Sequence, residues 1–103
     1  SIPSTSGGQM SMKIKQTPAF KRDFKRPKRK NYDMTLVKTA VTTLLSQDQL
    51  SLQTKYRDHF LKGDWQGYRE LHIKGDWLLI YRIEADNLIL ILTRMGSHDE
   101  LFR

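Results

Sequence analysis

Cysteine is absent from the 103 residues. This excludes a disulfide framework and a thiolate metal site, and nothing in the chain requires an oxidising compartment. Long hydrophobic runs are missing too. The longest, Leu88 to Leu92, is far below the roughly 20 residues needed to cross a bilayer. With no signal peptide visible, no membrane partner and a cytoplasmic location are expected. There is no Gly-rich phosphate loop, no internal repeat and no compact metal motif such as H-E-x-x-H, since the histidines stand at 59, 72 and 98. No cofactor and no metal are expected, although dispersed histidines can still meet in space.

Acidic residues are scarce in one place. Lys21 to Lys30 reads KRDFKRPKRK, seven cations against one acid, which accounts for +6 of a formal net charge of +7. From Asp58 onward six Lys or Arg stand against eight Asp or Glu, a charge of −2. A basic segment beside a mildly acidic half points to a polyanionic partner. The plainer reading is a solvated helix face and loop.

What is present suits one small domain, because 38% apolar content over 103 residues supplies a single core. The first eleven residues, SIPSTSGGQMS, are small, polar and aperiodic. They read as an expression-vector remnant, and the domain is taken as residues 12–103. Lys13 to Thr17 alternates weakly and predicts a strand. Thr17-Pro18 predicts a helix start, with Phe20 and Phe24 one turn apart on its inner side and Pro27 ending or kinking it. From Asp33 to Gln47 the residues Leu36, Val37, Ala40, Val41, Leu44 and Leu45 form the stripe of an amphipathic helix. Four threonines lower its propensity, so its stability must come from packing. Ser46 to Arg57 reads as a polar connection.

Three strands follow, Tyr68 to Ile73, Trp77 to Ile83 and Leu88 to Arg94, separated by Lys74-Gly75 and by Glu84 to Asn87. The predicted class is α+β, an N-terminal strand and two helices packed on an antiparallel sheet. With Lys74-Gly75 as a two-residue loop, His72 sits opposite Trp77. Pairing Ile83 with Leu88 then brings Arg94 opposite Trp77 as well. One face collects His72, Trp77, Tyr68 and Tyr81, and the other, with Leu71, Leu78, Ile80, Ile89 and Ile91, faces the helices.

The stretch from Asp58 to Arg103 holds all three histidines and both tryptophans. A lone histidine is usually structural, Asp76 beside Gly75 has an ordinary use in a turn, and Trp77 and Phe102 are ordinary core aromatics. The clustering of His72, Asp76 and Trp77 at one hairpin, with His98 just past a neighbouring strand, favours chemistry instead.

In order, the run carries Asp58-His59, Leu61-Lys62-Gly63, Trp65, Gly67-Tyr68-Arg69, His72, Asp76-Trp77 with Leu78-Leu79-Ile80-Tyr81, and Gly96-Ser97-His98 with Leu101-Phe102. This set resembles the YafQ branch of the RelE-type toxins, densely over the last 46 residues. The resemblance implies the small RelE-like fold and a bacterial toxin of a type II toxin–antitoxin pair. It further implies an endoribonuclease that cuts mRNA on the translating ribosome and is held inactive by an antitoxin. It places His59, His72, Asp76, Trp77, His98 and Phe102 at positions that line the family's active site. Met95 departs from the family's usual threonine, and Pro27 interrupts a stretch that is usually helix.

Elementary chemistry agrees with that implication. RNA is cut without metal if the 2′-hydroxyl is deprotonated, the 5′-oxygen is protonated and the phosphorane charge is stabilised. His98 is the leading acid, His72 or Asp76 the base or orienter, Arg94 a phosphate stabiliser, and His59 a positioning group. Trp77 or Phe102 would stack on an unpaired base. Lys21, Arg22, Lys25, Arg26, Lys28 and Arg29 would grip RNA phosphates. The expected partners are mRNA, the ribosome and an acidic antitoxin with an amphipathic segment. Two other readings stay open: a non-catalytic RNA- or ribosome-binding module, and metal-assisted hydrolysis through converging ligands.

Overall fold

The computed structural model describes residues 12–25, 33–84 and 88–102. The Glu84–Asn87 turn lies mostly outside them, as do Arg26, Pro27, Lys28, Arg29 and the first eleven residues. The elements run β1 (Lys13–Gln16), α1 (Pro18–Lys25), α2 (Met34–Ser46), α3 (Gln49–Thr54), β2 (His59–Phe60), β3 (Arg69–Lys74), β4 (Trp77–Glu84), β5 (Ile89–Ser97) and α4 (His98–Phe102), with a 3-10 turn at Gly63–Trp65. Five strands form one sheet in the order β1-β5-β4-β3-β2. The meander is antiparallel as expected, but β1 joins β5 in parallel. The sheet is therefore mixed.

Local chemistry explains the helix starts. The Thr17 hydroxyl accepts from the Phe20 amide at 3.0 Å, and Asp33 accepts from the Thr35 amide at 2.9 Å, each satisfying a donor that the first turn leaves unpaired. Gln47 closes α2 in the left-handed region, φ 58°, donating to Leu44 and Thr43 carbonyls. The predicted stripe is the packed one: Val37, Ala40 and Leu44 are buried, and Leu36, Val41 and Leu45 pack beside them. Phe20 is buried, but Phe24 is 37% exposed although the two rings stack at 6.0 Å. The stretch read as a polar connection contains α3, because Asp48 caps Ser51 and Leu52 reaches the core.

The hairpin register corrects the expectation. The two-residue loop is Gly75-Asp76 and Lys74 pairs with Trp77. Gly75 takes φ +56°, which suits a turn needing glycine at its first central position. Between His72 and Lys74 the register shifts, leaving Ile73 as an extra, bulged residue, so His72 pairs with Leu78 and not with Trp77. A second shift, opposite Ile80 and Tyr81, makes Thr93 the extra residue and pairs Arg94 with Ile80.

These two irregularities sort the faces. Leu71, Ile73, Trp77, Leu79, Tyr81, Leu90, Leu92 and Met95 enter the core beneath α1–α3. Leu78 and Ile80 turn to the other side, where they meet Leu101 and, less buried, Leu61, Trp65, Tyr68 and Phe102. Trp77 and Tyr81 therefore lie against the helices, whereas Leu78 and Ile80 lie on the face carrying His72.

Candidate active site

Strand alternation sets the first cluster. Glu70 and His72 stand two apart on β3 and so share a face, and His59 on β2 is the cross-strand partner of Glu70. The Nε2 atoms of His59 and His72 lie 3.5 and 3.9 Å from Oε2 of Glu70. Glu70 is 5% exposed, while His59 is open to solvent. The Nδ1 of His59 lies 2.9 Å from the Arg57 carbonyl oxygen. A carbonyl only accepts, so Nδ1 carries the hydrogen and Nε2 is the atom left to exchange a proton beside Glu70. Among the described residues, the buried Nδ1 of His72 has no hydrogen-bond partner. The ligand atoms of His59, Glu70 and His72 lie within 4.8 Å of one another, and among the described residues this trio is the group that could hold a cation.

A buried lock underlies the cluster. Asp58, just before His59, accepts from Nε of Arg69 at 2.7 Å and from its Nη2, and also from the Tyr81 hydroxyl. Burial opposes charge on Arg69, but its hydrogen bonds with Asp58 and Tyr81 outweigh this and hold its pKa above the ordinary value. Burial, then Asp58, pushes the Tyr81 hydroxyl well above the usual phenol range, so it remains a donor. Tying the Asp58 carboxylate to β3 and β4 fixes the chain at the point where it turns into β2.

His98 opens α4, which carries a reciprocal cap. The Glu100 amide donates to the Ser97 hydroxyl at 3.3 Å and the Ser97 amide to Oε1 of Glu100 at 2.8 Å. A Cβ on Gly96 would meet that Oε1 at 2.8 Å, so a side chain there would push the Glu100 carboxylate away from the Ser97 amide. Asp76 accepts from the His98 amide at 3.4 Å, joining the β3-β4 turn to α4. The exposed His98 ring lies 4.9 Å from Phe102, Phe102 lies 6.2 Å from Trp65, and Trp65 lies 5.3 Å from Tyr68.

Arg94 lies in the cross-strand row Glu70, Ile80, Arg94, next to the row His72, Leu78, Gly96. Its Nε and Nη2 reach Asp23 of α1 at 2.7 and 3.3 Å, and the same carboxylate accepts from the Met95 amide at 3.0 Å. Asp23 is 4% exposed. The one acid of the basic run therefore anchors Arg94, while Lys21, Arg22 and Lys25 stay exposed.

The structure thus brings His59 and His72 together around a carboxylate, links Asp76 to His98, and seats Phe102 against His98. It does not present Trp77, which is 2% exposed in the helix-side core. Trp65, half-buried on the site face, is the tryptophan near Phe102. Glu70 was absent from the sequence-based candidates, though its spacing of two from His72 was a usable signal. Asp23 had none, since its partner is 71 residues away.

Residues 12–103 match the family described as "Bacterial toxin of type II toxin-antitoxin system, YafQ". The chain belongs to the YafQ family. The mRNA interferase toxin YafQ of Escherichia coli strain K12 is 35% identical over 89 residues, 86% of this chain and 94% of that protein. A metal-bound toxin from Helicobacter pylori superposes with a TM-score of 0.78 at 37% identity, over 88% of this chain and 99% of that one. The E. coli DinJ-YafQ toxin-antitoxin complex contains a match with a TM-score of 0.76 at 33% identity, over 91% and 100%. In this YafQ-family chain Met95, the departure from the usual threonine, is 3% exposed among the helix-side core residues. It fills core beside Gly96 and does not line the histidine face. Among the described residues no helix is long and apolar enough to cross a membrane.

Proposed function

We propose that this chain is the toxin of a type II toxin–antitoxin pair, an endoribonuclease that cuts mRNA on the translating ribosome in the bacterial cytoplasm by metal-independent acid–base catalysis. The observation that carries this reading is the gathering of His59, Glu70 and His72 on one face, with Asp76 and His98 at the adjoining sheet end. His72 removes the proton of the 2′-hydroxyl, with Glu70 beside it to stabilise the charge the ring acquires. O2′ bonds to phosphorus, the P–O5′ bond breaks, and His98 protonates O5′. The products are a 2′,3′-cyclic phosphate and a 5′-hydroxyl. Asp76 holds the start of α4, which positions His98, and this favours His72 over Asp76 as the base. Arg94, anchored by Asp23, offers its remaining N–H groups to the phosphorane, and Phe102 with Trp65 stacks a base. His59 positions the phosphate.

Mapping RNA 5′ ends after incubation with and without translating ribosomes tests this. Discrete 5′-hydroxyl ends that depend on ribosomes are the expected result. Binding with no new ends would instead establish the non-catalytic module.

The histidine–carboxylate trio also suits a divalent cation, imidazole being a good ligand for copper and zinc, and an H. pylori relative is described as metal-bound. A cation there would occupy the nitrogens needed for proton transfer. Cleavage should therefore survive excess EDTA, fall when one equivalent of Cu²⁺ is added, and return on chelation. If EDTA abolishes cutting with ribosomes intact and zinc or manganese restores it, the metal-independent mechanism is wrong.

Grip resides in the basic segment. Neutralising Lys25, Arg26, Lys28 and Arg29 should weaken RNA binding and flatten its salt dependence, the logarithmic slope falling by up to roughly 3 if all four meet phosphates. Single-turnover rates at saturating enzyme should hold. An unchanged slope would place the phosphate contacts elsewhere.

A further inference from the structure

The helix side of the sheet holds a cavity behind the histidines. The row Phe60, Arg69, Tyr81 crosses β2, β3 and β4 next to the row His59, Glu70, Ile80, and neighbouring rows of a sheet point to opposite faces. Phe60, Arg69 and Tyr81 accordingly line a cavity of about 370 Å³ on the helix side, with Leu44, Leu52 and Ile83 as apolar walls. Two of these residues are large hydrophobics left in solvent, Phe60 at 64% and Ile83 at 41% exposure. The guanidinium carbon of Arg69 lies over the Phe60 ring, 4.1 Å from its centre. Asp58 holds Arg69 through Nε and Nη2, and among the described residues Nη1 has no partner. Gln47 and Gln49 are exposed on the same lining, and each side-chain amide offers both a donor and an acceptor.

We propose that this cavity binds a nucleobase, stacked on Phe60 and met along its edge by Gln47, Gln49 and Nη1 of Arg69. An exposed ring with a cation fixed against it is a ready platform for a flat π-system. The platform is preorganised, because Asp58 and Tyr81 already hold Arg69. A base also carries donors and acceptors around its edge, which the two amides and the guanidinium can meet. An aliphatic ligand would fill the apolar walls but leave those groups unpaired. An isolated phosphate is a poor occupant, since Asp58 already neutralises Arg69. A partner's helix, about 10–12 Å across with its side chains, is too wide for the space. The base can belong to a free nucleotide or be extruded from ribosomal RNA, and the chemistry of recognition is the same. The inference does not rest on the cleavage mechanism, because the cavity and the histidines occupy opposite faces of the sheet.

The test titrates the isotopically labelled full chain with AMP, GMP, CMP and UMP and follows its amide resonances by NMR. A nucleotide should move the amides of Gln47, Gln49, Phe60 and Arg69 along one saturating curve. Phe60→Ala should weaken that binding roughly 5- to 150-fold, the worth of one base–aromatic stack. Phe60→Trp, which keeps a π face, should bind at least as tightly as the wild type. Should Phe60→Ala melt early, Phe60→Leu, which keeps an apolar residue on β2 but no ring, carries the same comparison. Ribosome affinity of the same variants separates the two sources. A fall in Phe60→Ala that Phe60→Trp restores assigns an extruded base of ribosomal RNA, whereas unchanged ribosome affinity with nucleotide binding lost assigns a free nucleotide. Variants that match the wild type in both assays overturn the proposal. Nucleotide shifts confined to His59, His72 and His98 overturn it as well, since they place the base in the cleavage site alone. Loss of binding only to the product of the adjoining gene would give the cavity to the antitoxin instead. No arm reads cleavage, so a chain that cut no RNA would leave each of these outcomes unchanged.

Discussion

His98→Ala slows single-turnover cleavage at saturating enzyme by roughly 100- to 10,000-fold, the usual worth of a general acid, while RNA and ribosome affinity change little. The reason is geometric. The ring is exposed at the start of α4 with Phe102 behind it at 4.9 Å. Its backbone amide, and not its ring, makes the bond to Asp76. Removing the ring leaves that bond and the Ser97–Glu100 cap in place, so the variant should fold, and circular dichroism checks this. A group that acts in the transition state lowers kcat without weakening binding. Asp76→Asn keeps an acceptor for the His98 amide and should cost far less. A folded His98→Ala variant that cuts at the wild-type rate would make His98 structural. An equal loss in Asp76→Asn would return Asp76 to the chemistry.

Asp58→Ala should lower the melting temperature by roughly 12–24 °C. The Asp58 side chain is 2% exposed and Arg69 is 24% exposed. Deleting one partner of a buried pair typically costs about 3–5 kcal/mol, because the other charge is left without compensation. With Arg69 partly hydrated, the lower figure of about 3 kcal/mol applies, and each kcal/mol shifts a domain of this size by about 4–8 °C. Tyr81→Phe removes only a hydroxyl and should cost about 1 kcal/mol. A shift of only a few degrees in Asp58→Ala would mean that Arg69 finds water or another acceptor. Alkaline pH offers an independent check. The Tyr81 pKa is raised on folding above its ordinary 10. Its contribution is therefore fully present below pH 10 and is lost as the pH rises towards the folded value. Tyr81→Phe should abolish that alkaline decline.

The sequence by itself determined the elements whose signal is local. The 3- and 4-residue spacing from Leu36 to Leu45, the cap at Thr17, and the three apolar runs each report on a few neighbouring residues. The predicted α2 and the antiparallel meander are observed. The histidine-rich half and the basic run were visible for the same reason, the placing of His98 near Asp76 followed from the antiparallel meander, and the ordered motif set carried the family.

Register and burial were decided only by the tertiary structure. A single bulged residue reverses which side chains share a face, and bulges at Ile73 and Thr93 are selected by what fits the core. Trp77 accordingly went under the helices and His72 to the opposite face. Glu70 became the centre of the site because β2, two residues long and too short to read from sequence, pairs back on β3. Asp23 looked like a flaw in a basic run until α1 packed beside β5, where the unpaired Met95 amide and the Arg94 guanidinium both need an acceptor. Most buried polar groups find partners, and those partners are chosen by packing, across distances that local pattern does not encode.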